Sequence, residues 1–195
     1  MEITRCIKER RSVRKYLNKN VPLKLILESI DAAHFAPSSG NLQNWIFIIV
    51  KDQEAKNKIA ESCLDQTWIS ESPSIIIICS DRERMEKFYE KHKNKFSIQN
   101  CSLAAQNLML RAFSLGLGTC FISGFSKMIL KRILELPNNI EPEAVITIGY
   151  SAEKPLSKRS LIENCTFFET YSNRIADKSL WPIEKHFKKL FSKFK

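Results

Sequence analysis

Glycine is scarce in this chain, with five residues in 195. The pair Gly116-x-Gly118 lacks the third glycine of a dinucleotide fingerprint, which excludes a nucleotide held on a Rossmann turn. The phosphate-cradling G-x-x-x-x-G-K-[ST], the nucleophile elbow G-x-S-x-G and the zinc motif H-E-x-x-H are all missing. Three histidines (34, 92 and 186) stand alone, and six cysteines (6, 63, 79, 101, 120 and 165) show no C-x-x-C, so neither a metal site nor a disulfide framework is expected. Most of the cysteines sit in apolar runs and read as reduced core thiols. No apolar run approaches the ~20 residues of a membrane span. The first residues, Met1-Glu-Ile-Thr-Arg, carry no apolar signal core, which predicts a cytoplasmic protein.

Acidic residues are also in short supply. Lysine and arginine number 31 against 21 aspartates and glutamates, a net charge of +10. The excess is confined to the ends: residues 1–19 carry a net +5 and residues 181–195 a net +4. A nearly neutral middle argues against a broad nucleic-acid face. The cluster Arg10-Arg11-Ser12-Val13-Arg14 has two readings, a solvated helix end or a set of forked donors for a phosphate dianion. Near the C-terminus Phe187, Leu190, Phe191 and Phe194 form one helical stripe among lysines. This predicts a basic amphipathic helix over 181–195 that packs on its own domain, residues 1–180, or on a second subunit.

Between the ends, periodicity predicts a helix from Glu2 to Leu17 with Ile3, Ile7 and Val13 inward. A second helix runs from Pro22 to Ala36, where Pro37 stops it. Strands are expected at Trp45 to Val50, Ile75 to Cys79, Gly118 to Ile122 and Ala144 to Gly149. Ile75 to Cys79 is apolar throughout and predicts a central strand buried on both faces. Further helices are expected from Gln53 to Cys63, Ser97 to Leu115 and Lys127 to Leu136, with a charged surface segment over 81–95. The alanines of the Ser97 helix permit close approach of other backbones. This is an α+β pattern.

Three loops carry candidate chemistry. Pro37-Ser38-Ser39-Gly40-Asn41-Leu42-Gln43 offers hydroxyls and amides suited to a flat heterocycle, or is a hydrophilic connector. Ile122-Ser123-Gly124-Phe125 follows a strand, and its glycine lets a ligand approach the backbone. Lys158-Arg159 is a second basic pair. Taken in order, R-R-S-V-R-K-Y, A-P-S-S-G-N-L-Q-x-W-x-F-I-I-V, A-A-Q-N-L-M-L-x-A-x-x-L-G-L-G-T-C and I-G-Y-x-A-E-K-P ending in Lys-Arg strongly resemble the FMN-dependent nitroreductase family.

That resemblance implies a central, mostly antiparallel sheet flanked by helices, in a homodimer with two FMN sites at the subunit interface. It implies that Arg10, Arg11 and Ser12 hold the phosphate and ribityl chain with Lys158 and Arg159. Arg14 then lies against the N1/O2 edge of the isoalloxazine, and Ile122, Ser123 and Gly124 form the turn facing flavin N5. Pro37, Ser38, Ser39, Asn41 and Gln43 come from the other subunit. The implied reaction is ping-pong: NADH or NADPH gives hydride to N5, and a nitroaromatic, quinone or flavin acceptor takes the electrons. Flavin then does the chemistry, which accounts for the missing protein nucleophiles. Alternatives are a specialised flavin enzyme of the same fold and a non-catalytic flavin-binding or interaction protein. Two departures from the family pattern are Asn44, where proline is usual, and Asn100, where aspartate is common.

Overall fold

The computed structural model describes residues 2–181. Its contacts divide the chain into two compact units, Met1–Leu156 and Ser157–Lys195. The boundary expected at residue 180 falls inside the second unit, and the predicted C-terminal stripe at 187–194 lies outside the described residues.

The first unit is built on four antiparallel strands, β1 (Trp45–Val50), β2 (Ser74–Asp81), β3 (Gly118–Ile122) and β4 (Ile140–Gly149), in the order β1-β2-β4-β3. β2 is central, and Ser74 through Ser80 are all buried. Its side chains alternate between two cores, as the period of two requires. Ile76 and Ile78 pack with Ala144, Ile146 and Ile148 against α2 (Leu23–His34) and α5 (Lys93–Ser114). Ile75, Ile77 and Cys79 pack with Val145 and Cys120 against α3 (Gln53–Ser62) and α6 (Lys127–Ile133). A fully buried isoleucine contributes roughly 2 kcal/mol as an upper estimate, so this one strand organises both layers. Cys101, Ala104, Ala105, Leu108 and Ala112 of α5, all buried, share one core with Ile26 and Ala33 of α2, where small side chains let the helix lie close to its neighbours. Gly116, at φ 81°, closes α5: its N–H donates to the Phe113 carbonyl, and that of Leu117 donates to the Ala112 carbonyl at 2.9 Å.

Several element boundaries differ from the sequence expectation, each for a tertiary reason. α1 is only Ile3–Glu9 rather than a helix to Leu17. From Arg10, at ψ 131°, the chain is extended, and the Val13 N–H donates to the Thr119 carbonyl on the free edge of β3. Val13 is buried as expected, but from this extended segment; Ile3 and Ile7 are 69% and 57% exposed, and Cys6 is the inward residue of α1. α5 begins a turn before Ser97 because Lys93 pairs with Glu86 and Phe96 packs edge-on against Tyr89, contacts that the lysine-rich 91–95 stretch conceals. The charged 81–95 segment also contains α4 (Arg82–Tyr89). α6 stops at Ile133, and Glu135 just beyond it has a left-handed φ of 51°. β4 starts at Ile140 rather than Ala144, and a register shift between Ile78 and Cys79 accommodates Pro142.

The described part of the second unit has 3-10 turns at Ile162–Asn164 and Lys178–Leu180. Arg174 lies 5.3 Å over the Phe167 ring and donates to the Glu163 carbonyl, and Phe167 packs on Tyr171. The six cysteines are free thiols, five buried and Cys165 exposed. No helix among the described residues is long and apolar enough to cross a membrane.

Candidate functional site

The extended segment after α1 sorts the basic cluster by side. In an extended chain alternate residues share a face. Ser12 forms a parallel bridge with Thr119, beside Cys120 on β3. Arg10, Ser12 and Arg14 are the alternate residues of this extended segment; burial pushes the Cys120 thiol up, Arg14, Ser12 and Arg10 oppose the rise, and Glu153 adds to it. Arg11 is turned the other way. Its Nη1 donates to the carbonyls of Lys8 (2.7 Å) and Arg10 (2.9 Å), where it caps α1, and it lines a separate cavity of about 400 Å³ with Val13, Phe113, Leu117, Glu153 and Pro155.

Arg14 does not hang free in solvent. Its guanidinium carbon lies 5.7 Å from the centroid of the half-buried Trp68 ring. Its backbone N–H donates to Oε1 of Glu153 at 2.6 Å, and that of Lys15 donates to the same oxygen at 3.1 Å. Beyond, Tyr16 bridges Ser151, and its hydroxyl joins the Val13 carbonyl and Thr147 Oγ1, each at 2.7 Å.

Ser123 and Gly124 follow the end of β3 and are exposed, while Ile122 is buried beneath them. A Cβ on Gly124 would come within 3.2 Å of Leu64, itself 75% exposed and left-handed at φ 61°, as is Asp65 at 53°. Two consecutive non-glycine residues in this conformation store strain, here beside a turn that carries candidate chemistry.

The loop from Pro37 to Asn44 is held differently. Gly40, Asn41 and Gln43 all have positive φ, at 57°, 55° and 47°. Ser38 Oγ accepts from the Gln43 N–H, and Gln43 Nε2 donates to Asn41 Oδ1 at 2.9 Å. Ser39 donates through both its N–H and its hydroxyl to Asn100 Oδ1. Asn100 Nδ2 then donates to Asn44 Oδ1 at 2.7 Å, and Asn44 Nδ2 donates to Ser97 Oγ. The two departures from the family pattern are therefore direct partners, both 1% exposed. From the outer side Arg84 donates to the carbonyls of Leu42 and Gln43, and Tyr89 covers Gly40.

Within one chain these two regions stay apart. The loop runs into β1 and the 10–14 segment pairs with β3, the two outer strands of the sheet, separated by three strand spacings of about 4.8 Å. Lys158 and Arg159 belong to the second unit, where both are exposed on a stretch without regular structure. Trp68, Leu64 and Glu153 escaped the sequence reading. A tryptophan in the polar stretch before Pro73 was the available signal for the first, and the acid within A-E-K-P for the last.

The donor set on the Arg10 side fits FMN. It offers guanidiniums for a phosphate, a hydroxyl for a polyol, an aromatic face at Trp68 for a flat ring, and glycine backbone at 124 for close approach. Four antiparallel strands between two helical layers define an α+β fold. The nitroreductase family model matches residues 7–73 and 64–150. The chain belongs to the nitroreductase family. It is 36% identical over 159 residues to a Methanothermobacter thermautotrophicus protein that carries the proposed name NADH dehydrogenase/NAD(P)H nitroreductase, covering 80% of each chain. It is 31% identical over 188 residues to an FMN reductase [NAD(P)H] of Bacillus subtilis, covering 89% of this chain and 76% of that protein. Among solved structures, an FMN-dependent nitroreductase of Clostridium difficile R20291 superposes with a TM-score of 0.75 at 28% identity, covering 85% of this chain and 98% of that one.

Proposed function

We propose that this protein is an FMN-dependent oxidoreductase that passes electrons from NADH or NADPH to nitroaromatic, quinone or flavin acceptors, by a ping-pong sequence in one open cleft. The bound FMN would supply the redox step, accepting hydride at N5 and releasing two electrons to the acceptor. Arg10, with Lys158 and Arg159, would hold its phosphate, and Ser12 the ribityl chain. Arg14 would meet the pyrimidine edge, where a cation favours the anionic reduced ring. The Ser123–Gly124 backbone would face N5. The observation that carries this reading is the extended segment that sets Arg10, Ser12 and Arg14 at alternate positions beside β3, with the Trp68 ring centroid 5.7 Å from the Arg14 guanidinium carbon.

A homodimer follows from the same reading. Ser38, Ser39, Asn41 and Gln43 sit at the opposite sheet edge from Arg14, so a site that uses both needs the loop of a second copy. The exposed Ile3, Ile7, Leu23 and Leu27 supply apolar surface for such an interface. Reduced, buried thiols agree with a cytoplasmic setting.

Anaerobic photoreduction of the yellow holoprotein, followed by mixing with menadione, tests the activity. Reoxidation much faster than that of free FMN is expected, and a rate equal to free FMN would reduce the protein to a flavin carrier. Arg10→Ala and Arg159→Ala are each expected to weaken FMN binding roughly 10- to 100-fold, the cost of a lost charge-assisted hydrogen bond. Wild-type FMN occupancy in both would defeat the assignment.

A further inference from the structure

A phosphate-binding, arginine-rich segment with a carboxylate against its backbone presents a puzzle, because Glu153 adds negative charge where an anion is to be bound. The geometry answers it. Glu153 Oε1 accepts two successive N–H groups, from Arg14 and Lys15, across a sequence separation of 139 and 138 residues. Its carboxylate is thereby engaged by backbone donors of an exposed stretch. It also lines a cavity of about 400 Å³ with Arg11 and Val13, and its charge adds to the rise of the Cys120 thiol that Arg14 and Arg10 oppose. Glu153 is itself held: its N–H donates to Ser151 Oγ, the Ser151 hydroxyl donates back to its carbonyl, and the Ala152 N–H donates to the Lys15 carbonyl.

We infer that Glu153 is a positioning residue that fixes the backbone of Arg14 from behind, so that the Arg14 guanidinium is presented over Trp68 and beside the flavin edge. The inference rests on the FMN reading above and adds to it a device that sets how strongly the reduced flavin is favoured. Arg14 is an exposed residue with a long side chain. With its φ and ψ free it would sample many rotamers, and the ordering cost would fall on cofactor reduction. A carboxylate that bridges two adjacent N–H groups removes that freedom without touching the cofactor face.

The test compares Glu153→Gln, Glu153→Ala, Arg14→Ala and the double variant Glu153→Ala/Arg14→Ala. Glutamine keeps an acceptor oxygen at the same reach and loses only charge; alanine loses the clamp. The readouts are the ratio of affinities for reduced and oxidised FMN, obtained from the midpoint potential, and Trp68 emission in the cofactor-free protein, isolated by subtracting the Trp68→Phe spectrum. Arg14→Ala should lower the affinity ratio roughly tenfold and Glu153→Ala roughly threefold, with Glu153→Gln close to wild type. The double variant should match Arg14→Ala, because the clamp acts only through that side chain. In the cofactor-free protein Glu153→Ala should shift Trp68 emission toward that of Arg14→Ala. A merely structural role would lower the melting temperature and leave the ratio in place. The inference is overturned if Glu153→Ala keeps the wild-type ratio, if Glu153→Gln changes it as much as alanine does, or if the two single effects add in the double variant. A wild-type protein that binds no FMN would instead sink the cofactor reading, while the Trp68 emission series would still decide whether Glu153 places Arg14.

Discussion

The two regions that carry the candidate site are held by opposite strategies. The segment from Arg10 to Leu17 borrows the sheet: the Val13 N–H donates to the Thr119 carbonyl, the Leu17 N–H to that of Tyr150, and the Tyr16 hydroxyl reaches Val13 and Thr147. The loop from Pro37 to Asn44 has left-handed residues, and side chains do the holding, above all Asn100. Many backbone bonds to a ladder fail gradually, whereas a network centred on one buried amide fails together. The cationic half of the site should thus tolerate single polar changes, and the loop should not.

The largest expected effect attacks the sheet-borne half through packing. Gly149 pairs with Gly118, and a Cβ placed on it would stand 2.6 Å from Tyr16 Cδ1 and 2.6 Å from Pro73 Cδ. Neither ring can give way, since proline is rigid and the tyrosine hydroxyl is bonded at both partners. Gly149→Ala should therefore cost about 2 kcal/mol, a fall of roughly 4–8 °C in melting temperature for a chain of this size. It should loosen FMN binding in the same protein. An unchanged melting curve would mean that Tyr16 does not dock as described.

The loop is broken more economically. Asn100→Ala leaves the Ser39 N–H and Asn44 Oδ1 without their partner in a buried place, a cost of about 1–3 kcal/mol. Asn44→Ala removes the other end. Because the two amides bond each other, the double variant should be more stable than the two single losses predict, by roughly 1 kcal/mol in a thermodynamic cycle from urea melts. Limited proteolysis should show faster cleavage between residues 38 and 43 in each single variant. Strict additivity would separate the two positions and return the loop to an ordinary connector.

How much of this was legible beforehand follows the same division. The β2 run from Ile75 to Cys79 and the β1 run from Trp45 to Val50 could be read directly, because continuous apolar residues have few destinations other than a buried strand. The conformation after Arg10 could not be read. It depends on the free edge of β3, more than a hundred residues away, and local periodicity favours continuing α1 to Leu17. That conformation decides which side chains cooperate: a helix would pair Arg10 with Arg14 and Val13, while the extended chain groups Arg10, Ser12 and Arg14 and sends Arg11 to cap α1. The motif resemblance singled out all four residues but not their sides. Asn44 and Asn100 were each visible as departures, yet their pairing required the register of α5 against the loop. Glu153 lay within a quoted motif and acquired a role only from its two backbone partners.

The smallest effect uses two buried thiols as reporters of the two regions. Cys101 follows Asn100 on α5, and burial pushes its thiol up, with Glu143 and Cys79 adding to the rise and only Lys127 opposing it. Burial raises Cys120 as well and Glu153 adds to it, but Arg14, Ser12 and Arg10 oppose it. Cys79, at the sheet centre, rises from 9.0 to about 12. A thiol raised in the native state keeps its proton where the unfolded chain has lost it. The stability it contributes is therefore whole below about pH 9 and declines as pH climbs toward the native value, by at most about 1.4 kcal/mol per pH unit for each thiol. Lys56 pulls the other way, since burial lowers its ammonium and stability gains as pH rises toward 10.5; one lysine is outweighed by several thiols. Between pH 8 and pH 10 the wild-type urea midpoint should fall. Cys101→Ala should flatten that fall by about 1 kcal/mol and Cys120→Ala by less, because Cys120 is less deeply buried and Arg14, Ser12 and Arg10 oppose its rise. In an Arg14→Ala background the difference between the two should shrink, since Cys120 loses its main source of positive potential. An Arg14→Ala background that leaves the difference unchanged would show that Arg14 does not act on Cys120, and the contrast between a charged edge and a hydrogen-bonded loop would lose its electrostatic half.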